Sequence, residues 1–246
     1  MAMIDLSTLG IGNPAEMDWA AYFDENHAHR LVNDFSRETP LTADEKRLIF
    51  PSVRRFQKGE ASDGRCLIAC AEAYVQATGD AAYLPAIRGF IREENRHSAY
   101  LKNYMDYYGV APASRVLLDR IFRRMRKGGT LKREITVLVT AEMLALSYYA
   151  ALSRCTASPV LQRICAQMLH DESRHIVFQS WTLHKIGAGE ADARRRQRLL
   201  RAAANALWLG AKPVFAAAGY TRRVLFSEAE AMLAQSAAIA ATGTWA

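Results

Sequence analysis

Glu93-Glu94-Asn95-Arg96-His97 and Asp171-Glu172-Ser173-Arg174-His175 are two copies of one pattern, acid-Glu-x-Arg-His. In a helix the Glu and His of each copy lie three residues apart, on one face and about one turn from each other. A buried carboxylate is costly unless something compensates it, and a bound metal cation does so. One E-x-x-H arises often by chance, and its bland reading is a surface Glu beside an ordinary His. Two copies with matching flanks predict an approximate two-fold relation between two helical hairpins that share a metal site.

The surrounding chain supplies the helices this requires. Thr42, with Glu45 three residues on, is a capping box that opens a helical pattern running to about Thr78. Pro51 lies within it and predicts a kink or break. Gly79-Asp80 is a short turn, and a second helix runs from about Ala81 to Tyr108, stopped by Gly109. Val110 to Gly129 is a longer connection with a helix of its own from Ala113 to about Lys127. The third helix runs from about Thr130 to Arg154. Ser158 then suits an N-cap and Pro159 a first helical position, opening a fourth helix that runs to about Ile186. Gly187 and Gly189 end it. The predicted fold class is all-α: a four-helix bundle over 42–186, with a crossover helix and additional terminal helices, in one domain spanning 1–246. Residues 1–41 read as short helices and loops wrapping the body. Residues 191–246 read as a helical appendix of two or three helices, broken around Gly210 to Pro213.

Composition agrees with a helical chain. Half of the 246 residues are hydrophobic, 23% are charged and only 9% are aromatic, enough to bury one large core. No basic segment leads into an apolar core at the N-terminus, and no window of 18 apolar residues lacks charge. The expectation is a cytoplasmic protein without a membrane span. Cys66, Cys70, Cys155 and Cys165 all stand in apolar helical context and read as reduced core thiols; a metal or disulfide pair between Cys66 and Cys70 is the lesser reading. Net charge is +7, with basic clusters at Arg123-Arg124-Arg126-Lys127 and Arg194-Arg195-Arg196-Arg198-Arg201. Their bland reading is a solvated helix face, and their functional reading is an acidic partner, protein or nucleic acid.

A bundle with two E-x-x-H helices needs one carboxylate from each of the other two helices. Glu142 stands 15 residues before the turn at 157, and Glu172 stands 15 after it. Glu60 stands 19 residues before Gly79 and Glu94 15 after it. At about 1.5 Å per residue, each pair lies at compatible height, about 22–29 Å from its turn. The predicted metal ligands, and hence the catalytic set, are Glu60, Glu94, His97, Glu142, Glu172 and His175. Glu72 and Asp63 are the alternatives to Glu60 on the first helix; Glu72 stands too near the turn to match Glu94. Asp171 and Glu93 each precede a ligand Glu and are candidates to accept the free N–H of a histidine in the opposite motif, fixing its tautomer. Arg96 and Arg174 would pair with those acids or lie at the rim. A solvated face is the bland reading for Glu93, and a plain surface Arg for Arg96 and Arg174. His27 and His29 read as exposed residues of an irregular N-terminal region, and His170 and His184 fall off the ligand face. Tyr100, Tyr104, Tyr149 and Trp181 read first as core packing, and second as pocket lining or electron relay.

Four carboxylates and two imidazoles with no thiolate suit iron or manganese better than copper(I) or a structural zinc. Such a pair of ions with open positions suits activation of dioxygen. The chain has no Rossmann glycine fingerprint and no cysteine cluster for an iron–sulfur centre, so oxygenation or desaturation would draw on an external electron donor.

Residues 42–186 resemble the ferritin-like di-iron carboxylate superfamily, and locally the acyl-carrier-protein desaturases. Arg92-Glu93-Glu94-Asn95-Arg96-His97 is similar to their second-helix iron motif. Gln162-Arg163-Ile164-Cys165 through Asp171-Glu172-Ser173-Arg174-His175 is similar to their fourth-helix segment. The resemblance implies a ferritin-like four-helix bundle and two iron ions on Glu60, Glu94, His97, Glu142, Glu172 and His175, with Asp171 beside them. It implies an O2-dependent oxidase or oxygenase that desaturates, hydroxylates or N-oxygenates a small or carrier-bound organic substrate. The partners it implies are an acidic acyl carrier protein or an electron donor, and a homodimer is compatible with it. Two other functions are open. One is a ferroxidase, peroxide scavenger or iron-storage protein. The other, ranked lower, is a tRNA-modifying hydroxylase.

Overall fold

The computed structural model describes residues 4–61, 64–113, 129–188 and 190–245. Among them the chain is all-helical, with no strand. After a 3-10 turn at Leu6–Thr8 come α1 (Trp19–Ala28), α2 (Ala43–Glu60), α3 (Arg65–Thr78), α4 (Tyr83–Tyr107), α5 (Leu131–Arg154), α6 (Pro159–Lys185), α7 (Glu190–Ala217) and α8 (Arg222–Thr242). The crossover helix expected from Ala113 to Lys127, the basic cluster at 123–127 and Asp63 lie outside the described residues.

The chain divides into two compact units. One holds residues 18–134 and 156–164, and the other holds 1–17, 135–155 and 165–246. The appendix 191–246 therefore groups with most of α5 and α6.

In the first unit, α2 opens on the expected capping box. The Glu45 amide donates to Thr42 Oγ1 at 3.1 Å, and the Thr42 amide donates to the Glu45 carboxylate at 2.9 Å. The sequence pattern predicts one helix to Thr78 with a disturbance at Pro51. The structure instead continues through Pro51, ends α2 at Glu60 and starts α3 at Arg65. Pro51 and Arg47 are both exposed, so the carbonyl that loses its donor faces solvent, where its loss is cheap. The break uses Gly64 at φ +65°, which leads into α3; the Ile91 side chain lies 2.6 Å from where a Cβ would stand. Glu60 is thus the last residue of α2 and not a mid-helix residue, and the height assigned to it along a continuous helix does not apply.

Two contacts set α4 in this unit. Phe23 of α1 sits directly over Gly89, whose missing side chain allows the approach: a Cβ there would stand 2.6 Å from that of Phe23. Gln57 of α2 donates to Ser98 Oγ at 2.9 Å, and Ser98 returns a bond to the Gln57 carbonyl at 3.1 Å, both groups buried. That pair pins the end of α2, where Glu60 lies, to the turn of α4 that carries His97. Gly109, at φ +67°, closes α4 as expected. The Ser158 hydroxyl accepts from the Leu161 amide at 3.0 Å and starts α6.

In the second unit, α5 is long and apolar enough to cross a membrane by length and composition, but it is mostly buried, as a core helix is. No clear membrane span is present among the described residues. The appendix is fastened to α5 and α6 by polar contacts from α8. Ser147 donates to Glu228 at 2.8 Å, and the Ser180 and Ser236 hydroxyls meet at 2.6 Å. Gln235 accepts from the Leu6 amide at 2.8 Å and so ties the chain's start to α8. The expected break near Gly210 to Pro213 is a kink inside α7, with Ala211 at φ −123°, ψ 16°. Of the cysteines, all free, Cys165 is buried, Cys70 and Cys155 are half-buried and Cys66 is exposed. The core-thiol expectation fails for Cys66, which falls on the solvent side of α3.

Candidate metal centre

In the first unit Glu94 and His97 share one face of α4, with residual exposures of 8% and 0%. In the second, Glu172 and His175 share one face of α6 and neither is exposed at all. His175 Nδ1 lies 3.2 Å from a Glu172 carboxylate oxygen. Glu94 and His97 on α4, and Glu172 and His175 on α6, are buried residues of metal-ligating type that could hold a metal ion. Two carboxylates and two imidazoles are the donor set that hard to borderline divalent cations take.

Glu60 and Glu142 are buried as well, 9% and 3% exposed, but stand outside that group of four. Glu142 accepts a hydrogen bond from the Gln179 side-chain amide at 3.0 Å. Glu72, the alternative to Glu60, is half exposed on α3 with Arg88 3.6 Å away, which places it on the surface.

The acids preceding each ligand Glu are both buried, 1% exposed. Asp171 accepts from Gln167 at 2.9 and 3.0 Å and lies 2.9 Å from His170 Nδ1. Glu93 accepts from Asn26 of α1 and from Arg96. The solvated-face reading of Glu93 is therefore corrected: α1 covers that side of α4 and brings the amide and guanidinium that compensate the charge. Arg96 also meets His27 at 3.0 Å, so His27 is half-buried and not loose in an irregular segment. Burial, with Arg92 and Arg96 beside it, holds the His27 imidazole below its usual value. Arg174 departs from the expected pairing. It donates to the carbonyls of His170 and Leu9, at 2.9 and 3.1 Å.

Several buried polar residues escaped the sequence reading. Gln179 lies four residues after His175, hence one turn further along its face, and that spacing was the available signal. Gln57, three residues before Glu60, had the same signal. Glu134, fully buried at the start of α5, carried none beyond being an acid in an apolar run. His170 and His184 are exposed, and His29 is exposed too, in keeping with their exclusion from the ligand set. Tyr100, Tyr104 and Tyr149 are buried, and Trp181 is half-buried with the Lys185 ammonium 4.4 Å from its ring centre. In the basic stretch of α7, Arg196 is buried, Arg194, Arg195, Arg198 and Arg201 are exposed, and Arg201 pairs with Glu230 at 2.8 Å.

Compared with known proteins, the chain matches no family model and no curated relative. The resemblance to di-iron carboxylate proteins thus rests on the two motifs.

Proposed function

We propose that the chain is a non-heme di-iron protein that uses dioxygen to oxidise a small or carrier-bound organic substrate. The observation that carries the reading is the burial of a carboxylate and an imidazole on one face of each motif helix, Glu94 with His97 and Glu172 with His175. Burying two carboxylates beside two imidazoles with no metal is expensive, and divalent cations offset that cost. Glu94 and His97 would hold one ion, Glu172 and His175 the other, and Glu60 and Glu142 would complete the set. When bound, the ions supply the reduction of dioxygen.

The protein's own contribution is positional. Gln179 orients the Glu142 carboxylate by donating to one of its oxygens. Asn26 and Arg96 hold Glu93, and Gln167 and His170 hold Asp171, so neither buried acid is left to compete for the metal as a loose group. Burial of each Glu–His face keeps bulk water from it. An exposed basic surface with Arg194, Arg195 and Arg198 suits an acidic carrier or donor.

The test is direct. Protein produced with adequate iron should carry metal, and Glu94→Ala and Glu172→Ala should lose it while remaining helical by circular dichroism. Metal content near zero in the wild type would sink the reading.

A further inference from the structure

Helix α4 carries a line of tyrosines outward from His97. Tyr100, Tyr104 and Tyr108 follow it at steps of three, four and four residues, which keeps them on one side of the helix. Tyr100 is 8% exposed and Tyr104 fully buried. The Tyr104 and Tyr108 ring centres lie 5.1 Å apart, and Tyr107 lies 5.0 Å from Tyr108. Tyr107 is 51% exposed and stacks on Phe35 at 4.2 Å, so the line ends at solvent. All of these residues belong to one compact unit.

The outer end of the line is built for more than packing. The Tyr108 hydroxyl donates to Glu38 Oε1 at 2.5 Å, a short bond to a carboxylate. The other Glu38 oxygen accepts from the Val160 amide at 3.2 Å, which fixes the carboxylate in place. Burial, and then the bond to Glu38, raise the Tyr108 phenol well above its ordinary range. The phenol therefore stays protonated, and it can lose an electron readily only if its proton leaves with it. Glu38 is the group placed to take that proton.

We propose that Tyr108 and Glu38 form a redox-active tyrosine site, the outer station of an aromatic path that begins at His97. In the oxidising step one electron leaves the Tyr108 phenol and the phenolic proton passes to the Glu38 carboxylate. The products are a neutral tyrosyl radical and a carboxylic acid. The oxidant is the metal centre after reaction with dioxygen, reached through Tyr104 and Tyr100, and this inner connection rests on the function proposed above. A one-electron reductant of the ascorbate class, acting at Tyr107, returns the electron while Glu38 returns the proton. The site would drain an oxidising equivalent when no organic substrate is present.

Two experiments test this separately from the metal reading. In the first, metal-free protein is oxidised with photo-generated tris(bipyridyl)ruthenium(III) and freeze-quenched for electron paramagnetic resonance. A neutral tyrosyl radical is expected. Tyr108→Phe and Glu38→Gln should each lower its yield severalfold, while Tyr74→Phe should leave it unchanged; circular dichroism checks that each variant is folded. A radical yield unaffected by Tyr108→Phe or by Glu38→Gln would overturn the site. In the second, iron(II)-loaded protein receives dioxygen without organic substrate. The same signal should form in the wild type and be lost in Tyr108→Phe; its absence from the loaded wild type would overturn the connection to His97. Iron that fails to bind would instead sink the proposed function and leave the photochemical result standing.

Discussion

Gln179 donates its side-chain amide to Glu142 at 3.0 Å, and both residues are buried, on α6 and α5 of the same compact unit. Gln179 lies one turn beyond His175, so the helix face that presents the imidazole also holds the neighbouring carboxylate. Gln179→Leu removes the donor and leaves a buried carboxylate oxygen without it. The metal-free variant should lose about 1–3 kcal/mol against urea. If Glu142 is a metal ligand, manganese(II) or iron(II) should shrink that deficit, because the cation compensates the same carboxylate. A deficit unchanged by metal would remove Glu142 from the ligand set.

Charge decides how many ions the site holds. Ionised Glu94 and Glu172 with neutral His97 and His175 balance one divalent cation, and adding ionised Glu60 and Glu142 balances two. Anaerobic iron(II) titration should therefore saturate at two equivalents in the wild type. Glu60→Gln or Glu142→Gln should saturate at one. A wild type that saturates at one would restrict the centre to the four motif residues.

The contrast between Glu94 and Glu60 shows what the sequence could reveal. Glu94, His97, Glu172 and His175 were legible because a three-residue helical spacing repeats with the same flanks, and local periodicity survives folding. Glu60 is placed by counting along one helix, where the structure has two, ending at Glu60 and starting again at Arg65. The proline signal pointed to Pro51, where an exposed carbonyl makes the loss cheap, and the break occurs instead at Gly64, whose left-handed backbone and contact with Ile91 are tertiary matters. The solvated-face alternative for Glu93 stayed open in the sequence for a related reason. Its partners Asn26 and Arg96 are brought together by α1 docking on α4, and Asn26 stands 67 positions away in the chain. Helix boundaries at Thr42, Gly109 and Ser158 were legible because caps are local chemistry.

Glu45 gives an acid-dependent contribution whose sign is fixed. Its carboxylate accepts from the Thr42 amide and from the Ala157 amide, and these two bonds hold its pKa below the usual carboxylate value. A depressed folded value means the contribution is fully present above about 4.5 and is lost as pH falls through the folded value. Glu45→Gln should cost about 0.3–1.5 kcal/mol at neutral pH, the range of a helix-start device. It should also flatten the fall in stability below pH 4.5, measured by urea denaturation across the acid range.

Gly64 should tolerate no side chain. Its φ is +65°, and a Cβ would stand 2.6 Å from Ile91 Cδ1 and 2.8 Å from Cγ2. Gly64→Ala should cost about 1–3 kcal/mol, from backbone strain and overpacking together. Ile91→Val removes the nearer atom only. In a double-mutant cycle it should therefore recover part of the loss, leaving the backbone share and the contact with the remaining γ carbons. Full recovery would assign the whole cost to Ile91 and none to the left-handed backbone.

Arg196 raises the opposite expectation, that removing a charge does little harm. It is 2% exposed, donates to Ser236, and has Asp192 nearby as a partial offset. Burial is the larger effect and lowers its pKa to about 10. A base with a lowered folded value penalises the folded state at neutral pH. Stability should rise as pH climbs through about 10 toward the unfolded value, because there the unfolded chain binds more protons. Arg196→Met removes the buried cation, and Ser236 keeps Ser180 as a partner at 2.6 Å. Its stability at neutral pH should match the wild type or exceed it by about 1–4 kcal/mol, and the rise at high pH should disappear. Arg201→Met, which loses an exposed pair with Glu230, should shift stability by less than about 1 kcal/mol at any of these values. A loss of several kcal/mol in Arg196→Met would show instead that the guanidinium is what holds α7 to α8.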